Sequence, residues 1–243
     1  MLKKTLEQLK GFDTPLLANT IGYIDATPAE EYYLGGSIQS LTPSLGPTVG
    51  RAFTCEMDTS TPGGTASTDD YWRQLSEMQG TDCPIIWVVK TVGSRPDHEC
   101  VLGDGMAKTL ASVGCVGVVT DGGVRDLDGL IDISFAAYAR GKAAHHCAIR
   151  VRSINRPVSI GGVVIRNGDI LHANREGVIK IPGTCLSHLV ERAIQMRAFE
   201  QEAHSILRLT DHSPAEKRSR VADLIVKYGF AGVASPATAE RVG

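Results

Sequence analysis

The chain has 243 residues, 42% of them apolar, which is enough to build a substantial core. A formal net charge of -2, with seven histidines counted neutral, argues against an electrostatic grip on nucleic acid or on an anionic membrane. No run approaches the ~18 apolar residues of a membrane span, and the first residues, "MLKKTLEQLKGFDTPLLA", space Leu2, Leu6 and Leu9 as a helix rather than as the apolar stretch of a signal peptide. A cytoplasmic protein is expected.

In chain order, residues 1–34 read as helices, with Asp13 and Thr14 before Pro15 as a capped start. "TVGRAFTCEM" (48–57) is a strand, "TPGGTAST" (61–68) a loop, and "DDYWRQLSEM" (69–78) a helix with acids in its first turn and Tyr71, Leu75 and Met78 on one face. "PIIWVVK" (84–90) and "CVGVVT" (115–120) are unbroken apolar runs of strand length, as expected for strands covered on both faces. Between them "DGMAKTLASVG" (104–114) is a short helix ending in glycine, with no clear strand before it. "RDLDGLIDI" (125–133) reads as a helical turn and "SFAAYA" (134–139) as a strand, so the alternation predicts a parallel α/β layer.

From 147 to 182 the pattern changes to short β segments, "CAIRVRSI", "PVSIGGVVI", "GDILHAN" and "GVIKIP", predicting antiparallel or mixed β. Gly161-Gly162 and Asn167-Gly168 signal turns, and "RNGD" suggests a hairpin of its own. After Pro182 a long helix follows, with Leu186, Leu189, Ile194, Phe199 and Ile206 as its apolar positions, and then a last helix near 213–228 behind "DHSP". The expected organisation is a single domain over 1–182 and a helical extension over 183–243. Six cysteines, Cys55, Cys83, Cys100, Cys115, Cys147 and Cys185, have no C-x-x-C pair and read as buried thiols rather than a zinc site.

In open α/β sheets ligands gather at the carboxyl ends of strands. The helix start "GDGMA" would present free backbone N–H groups to a carboxylate or phosphate. "DGGVRD" follows "GVVT", where Gly122 and Gly123 allow a tight turn, Arg125 offers a planar fork to an anionic or carbonyl oxygen, and Asp126 is a hard donor for a divalent cation. On local pattern alone Arg125 and Asp126 also read as a surface ion pair, Asp104 as a helix cap, and Lys108 as a solvated lysine. The glycine spacing fits neither a dinucleotide fingerprint nor a P-loop.

Taken together, Asp104-x20-Arg125-Asp126, "GCVGVVTDGGVRD", "LTPSLGPTVGRAFTCE" and "NRPVSIGGVVIRNGDILHANREGVIKIP" resemble the RraA-like family over roughly residues 15–207. That family holds regulators of ribonuclease E activity and metal-dependent 4-hydroxy-4-methyl-2-oxoglutarate/4-carboxy-4-hydroxy-2-oxoadipate aldolases. The resemblance implies a three-layer α/β/β sandwich like the phosphohistidine swivelling domain, assembled as a homotrimer or homohexamer. It implies Mg²⁺ or Mn²⁺ on Asp126, reached through water by Asp104 and by a glutamate from the C-terminal helix of a neighbouring subunit, with Glu200 the first choice and Glu202 the second. Arg125 would contact the keto oxygen of a small 2-oxo acid, and the amides of Gly105, Met106 and Ala107 would receive its carboxylate.

The implied reaction is retro-aldol cleavage of a 4-hydroxy-2-oxo acid to pyruvate and a second oxo acid, with oxaloacetate decarboxylation alongside. A lysine that many aldolase members carry before the "N-x-PV" stretch is replaced by Ala148, which points to His145, His146 or Arg150 as residues shaping the pocket. The rival reading is a non-catalytic regulator that binds a ribonuclease or another protein. A methyltransferase reading finds no glycine-rich nucleoside loop to support it.

Overall fold

The computed structural model describes residues 2–232, so the end of the expected C-terminal extension lies outside the described residues. Helices α1 (Leu2–Leu9) and α2 (Thr14–Ile24) open the chain, followed by a 3₁₀ turn at Ala29–Glu31 in place of continuous helix to residue 34. Then come β1 (Gln39–Ser40), β2 (Thr48–Asp58), α3 (Asp69–Met78), β3 (Ile85–Thr91), β4 (Cys100–Leu102), α4 (Asp104–Ser112), β5 (Cys115–Thr120), β6 (Gly123–Val124), α5 (Leu127–Asp132), β7 (Ala136–Ala139) and β8 (Gly141–Lys142). The β-rich part holds β9 (Arg150–Ile154), β10 (Val158–Ile160), β11 (Val163–Ile165), β12 (Ile170–Asn174) and β13 (Gly177–Ile181), and α6 (Leu189–Leu207) and α7 (Pro214–Lys227) follow.

The main sheet runs β1-β7-β5-β3-β2-β12-β13. Its four central strands, β7, β5, β3 and β2, are parallel, and β1, β12 and β13 add antiparallel edges. The long β2 serves two partners along its length: residues 48–51 pair with β12, and residues 55–58 pair with β9, with a register shift between Glu56 and Met57. Alternate side chains of the same strands leave the sheet in opposite directions. Phe53, Trp87, Val89 and Val118 pack with Tyr71, Leu75, Met78, Leu110 and Leu130 of the three helices α3, α4 and α5. Ala52, Ile86, Val88, Val119 and Leu171 pack with Val158, Ile160, Val163 and Ile165 of the β10–β11 hairpin. The result is the expected α/β/β sandwich, with the apolar runs of β3 and β5 explained by cover on both faces.

Buried polar atoms in this core are paired locally. Trp87 Nε1 donates to Gln74 Oε1 at 2.9 Å, and Gln74 Nε2 donates to the Thr54 carbonyl at 2.8 Å, so a glutamine on the inner face of α3 ties the helix to the sheet. All six cysteines are buried and free.

Three details differ from the sequence reading. A strand does precede Asp104, since β4 ends at Leu102. Residues 166–169 are not a hairpin: β11 pairs with β10, while β12 pairs with β2 and β13, so this turn carries the chain between sheets. The hairpin lies at Gly161-Gly162, where both residues have positive φ and Gly161 also sits against Leu34 and Gly35. Finally, Ile194 is 59% exposed; the buried face of α6 is Leu189, Ala193, Met196, Phe199, Ala203 and Ile206.

The chain divides into two compact units, one of residues 1–14 and 30–181, the other of residues 15–29 and 182 onward. The second groups α2 with the C-terminal helices around an aromatic cluster: Tyr23 lies 5.4 Å from Phe230 and 6.3 Å from Phe199, and the Arg192 guanidinium stacks 4.4 Å above Phe230. Ser213 and Glu216 form a capping box at the start of α7, with Pro214 in the first turn. Among the described residues no helix is long and apolar enough to cross a membrane.

Candidate active site

Beside the main sheet, β4, β6 and β8 form a small parallel sheet in the order β4-β6-β8. The segments leaving the carboxyl ends of these strands carry the chemistry. β4 leads through Gly103 into Asp104 and α4. β6 leads into Arg125 and Asp126, and then α5. β8 leads into the loop of His145 and His146. The 20 residues separating Asp104 from Arg125 are thus one turn of helix-and-strand winding, α4 and β5, that returns the chain to the neighbouring short strand. The Arg125 amide donates to the Leu102 carbonyl at 3.0 Å, locking the two carboxyl ends together.

Asp126 has φ 59° and ψ 41°, the left-handed region, which aspartate tolerates better than most residues. Its Oδ2 accepts a long hydrogen bond (3.4 Å) from the Asp104 amide and lies 3.5 Å from Arg125 Nε. Gly103 is extended, so its need is spatial: a Cβ there would stand 2.7 Å from Asp126 Oδ2 and 2.9 Å from Arg125 Nε. The missing side chain is the space that the Arg–Asp pair occupies.

Gly103 is the N-cap of α4, so Asp104 is the first helical residue rather than the cap. Lys108, one turn on, donates to Asp104 Oδ2 at 2.6 Å and holds this carboxyl below the usual carboxylate range. Lys108 is therefore an ion-pair partner rather than only a solvated lysine. The Ala107 amide, expected to bind substrate, instead donates to the Gly103 carbonyl at 3.1 Å, because it is the first N–H in the helix with an acceptor four residues back. Its side chain is fully buried. Gly105 and Met106, in the first turn, line the cleft that opens here.

That cleft has a volume of about 280 Å³. Asp104 and Arg125 line one part of it, and His145, His146, Cys147 and Ile149 line another. Cys100 also faces it, but burial pushes its thiol up to about 11, so it is a poor nucleophile near neutrality. Arg150, considered from sequence for the same pocket, is occupied elsewhere. Its buried guanidinium donates to Asp58 Oδ1 at 2.9 Å and to the Thr61 carbonyl at 2.6 Å, and Arg152 adds a bond to Asp58 Oδ2 at 2.7 Å. Burial alone would raise the Asp58 carboxyl, but the two guanidiniums override it and hold the group far below the usual range. A further buried carboxylate, Glu99, accepts from Thr59 N, Thr59 Oγ1 and Ser60 Oγ just before β4. Neither Asp58 nor Glu99 stood out in the sequence, since their partners lie some 40 to 90 residues away.

Glu200 and Glu202 both lie on α6, in the other unit. Glu202 accepts two bonds from Lys227 and one from Tyr228, whereas Glu200 accepts one from the neutral Asn19 amide at 2.9 Å. Asp104 and Asp126 are hard oxygen donors of the kind Mg²⁺ or Mn²⁺ takes, and an ion that keeps several waters needs only one or two such carboxylates. The donor set therefore fits such an ion in kind. Among the described residues no group of three or more histidine, cysteine or acidic side chains comes together as a metal site.

A mixed sheet flanked by helices on one face and a hairpin on the other, with an Asp-x20-Arg-Asp constellation at strand ends, defines an RraA-type α/β/β protein. A family model described as RraA-like, Aldolase/RraA, matches residues 24–180, and the chain belongs to this family. Among curated relatives, the "Putative 4-hydroxy-4-methyl-2-oxoglutarate aldolase" of Halalkalibacterium halodurans is 35% identical over 98 residues, which are 40% of this chain and 45% of that one. Protein DlpA of Legionella pneumophila is 32% identical over 116 residues, 46% of this chain and 19% of that one. The chain therefore spans less than half the length of these relatives. Among solved structures, Streptomyces coelicolor RraAS2, described as an unusual member of the RNase ES inhibitor RraA family, superposes with TM-score 0.65 at 20% identity, covering 83% of this chain and 96% of that one. An uncharacterized protein of Pseudomonas syringae gives TM-score 0.61 at 21% identity over 88% and 96%. These two likenesses concern the fold.

Proposed function

We propose that the protein is a divalent-metal-dependent aldolase that cleaves a 4-hydroxy-2-oxo acid to pyruvate and a second oxo acid, and that also decarboxylates oxaloacetate. The observation that supports this most is the meeting of Asp104, Arg125 and Asp126 with the first turn of α4 at the carboxyl ends of β4 and β6. Asp126 would hold Mg²⁺ or Mn²⁺ directly and Asp104 would do so through water. A Glu200 carboxylate from a neighbouring copy, in a homotrimer or homohexamer, would complete the outer shell. Glu200 is preferred to Glu202 because its single neutral partner is easier to give up than an ammonium and a phenol.

When bound there, the cation supplies Lewis-acid stabilisation of charge at the substrate's 2-oxo group. The Gly105 and Met106 amides receive the substrate carboxylate, where the helix terminus favours negative charge. Arg125 donates to the 2-oxo oxygen. A water held by Asp104 and Glu200 takes the proton of the C4 hydroxyl; C4 becomes a carbonyl as the C3–C4 bond breaks, and its electron pair passes to C3. Arg125 stabilises the resulting pyruvate enolate, which is then protonated at C3. Loss of CO₂ from oxaloacetate leaves the same enolate, which is why one site would serve both reactions.

The test is pyruvate release from oxaloacetate with Mg²⁺ or Mn²⁺, measured above the rate of metal alone and against an EDTA control. Asp126→Asn keeps the left-handed conformation and the volume but removes the charge, and is expected to abolish release. Arg125→Ala is expected to lower kcat by ~10² or more, as loss of one transition-state donor does. Full activity in Asp126→Asn overturns the scheme. Absence of metal-dependent release from the intact protein overturns it too, in favour of a protein-binding role.

A further inference from the structure

We propose that Lys108 sets the affinity of the site for its divalent cation, by holding Asp104 in an ion pair that an incoming metal must share or break. The inference rests on the metal-dependent reading of the site and concerns a lysine to which that reading gives no part. Each of the two carboxylates assigned to the metal has a cation of its own chain beside it. Arg125 Nε lies 3.5 Å from Asp126 Oδ2, and Lys108 Nζ lies 2.6 Å from Asp104 Oδ2. Arg125 is taken up by the substrate in the scheme above. Lys108 is not among the residues lining the cleft. Its spacing is the favourable one on a helix, acid first and lysine four residues on, so the pair forms on α4 without help from elsewhere. An ammonium at this point acts against a dication twice: it neutralises the carboxylate that would hold the ion's water, and it repels the ion itself.

The opposite sign would follow if Lys108 were what keeps Asp104 in place, and the packing argues against that. Asp104 is the first residue of α4, and its amide contacts Asp126 Oδ2 at 3.4 Å. Helix α5 packs on its side chain, since a Cβ on Gly129 would stand 2.9 Å from Asp104 Cβ and 3.2 Å from its Oδ2. Removing the lysine therefore frees charge on a carboxylate that stays where it is. A Glu200 carboxylate from a neighbouring copy would add its charge with or without Lys108, so a comparison of variants isolates the contact.

The experiment follows free Mn²⁺ by electron paramagnetic resonance as the full chain is titrated without substrate, in ~10 mM salt, where screening is weak. The Lys108 side chain is 56% exposed, so Lys108→Met keeps the helix and removes only the charge. It should bind Mn²⁺ ~3- to 5-fold more tightly than the unaltered protein, the upper part of what an exposed ion pair supports. The gain should shrink by more than about half in ~0.5 M salt. Lys108→Arg keeps the charge and should bind Mn²⁺ as the unaltered protein does. Lys142, an exposed lysine on β8, is the control for net charge, because Asp104 pairs with Lys108 and not with it; Lys142→Met should leave the affinity unchanged. Unchanged or weaker binding in Lys108→Met overturns the proposal, as does an equal gain in Lys142→Met. Either result leaves the metal site itself standing as long as Asp126→Asn abolishes Mn²⁺ binding. No Mn²⁺ binding by the unaltered protein removes the metal-dependent reading and this inference with it.

Discussion

Gly103→Ala isolates the geometry on which the proposed chemistry depends. The residue is extended, φ -126° and ψ 179°, so alanine adds no backbone strain. What it adds is a methyl group 2.7 Å from Asp126 Oδ2, about 0.7 Å inside ordinary van der Waals contact, and 2.9 Å from Arg125 Nε. Both side chains are partly exposed and can swing aside, so the fold should lose no more than about 1 kcal/mol, a shift in melting temperature of only a few degrees. The site has no such slack. Moving the Asp126 carboxylate by most of an ångström breaks its 3.4 Å contact with the Asp104 amide and turns the Arg125 fork away from the cleft. Misplacement on that scale commonly costs ~10² in rate. The assay pairs a thermal melt with metal-dependent pyruvate release from oxaloacetate. A variant that melts like the unaltered protein and retains more than about half its turnover would refute the idea that Gly103 makes room for a working Arg–Asp pair.

Two further outcomes concern stability. His172 is fully buried on β12, with Nδ1 2.9 Å from Thr14 Oγ1 and Nε2 3.2 Å from the Leu9 carbonyl, so Nε2 carries the proton and burial lowers the pKa to about 4. The unfolded chain takes up a proton near pH 6.5 that the folded one refuses until about 4, so stability should be full above 6.5 and fall by up to about 3 kcal/mol on the way down. Urea midpoints across that range should flatten in His172→Gln. Asp58→Asn leaves the Arg150 guanidinium, 6% exposed, without its counter-charge and should cost about 3 kcal/mol or more in chemical denaturation; a loss under about 1 kcal/mol would show the pair to be dispensable.

Much of this protein was legible in its residues. The bounds of α3 and β5 follow directly from apolar spacing, because an amphipathic helix and a strand covered on both faces leave different periods in sequence. Asp104, Arg125 and Asp126 were legible as a set only through their resemblance to a family. Nothing in the local chemistry of a lone Arg–Asp pair says that an aspartate 21 residues earlier will lie beside it. The strands that bring them together, β4 and β6, have three and two residues, too few for any period to show.

Turn chemistry likewise marks where the chain bends but not what it pairs with. Asn167-Gly168 looks like a hairpin in isolation, yet Leu171 and Ala173 are fully buried and β12 joins β2 rather than β11. The network of Asp58, Arg150 and Arg152 spans more than 90 residues and was invisible until the chain folded. Local hydrogen bonding and side-chain spacing are written into neighbouring residues, so the sequence by itself determined the helices, the strands and the alternation that makes a parallel layer. Which distant side chains share a cleft, and which of its cations are already spoken for, depends on contacts between segments with no local signal, and only the tertiary structure decided it.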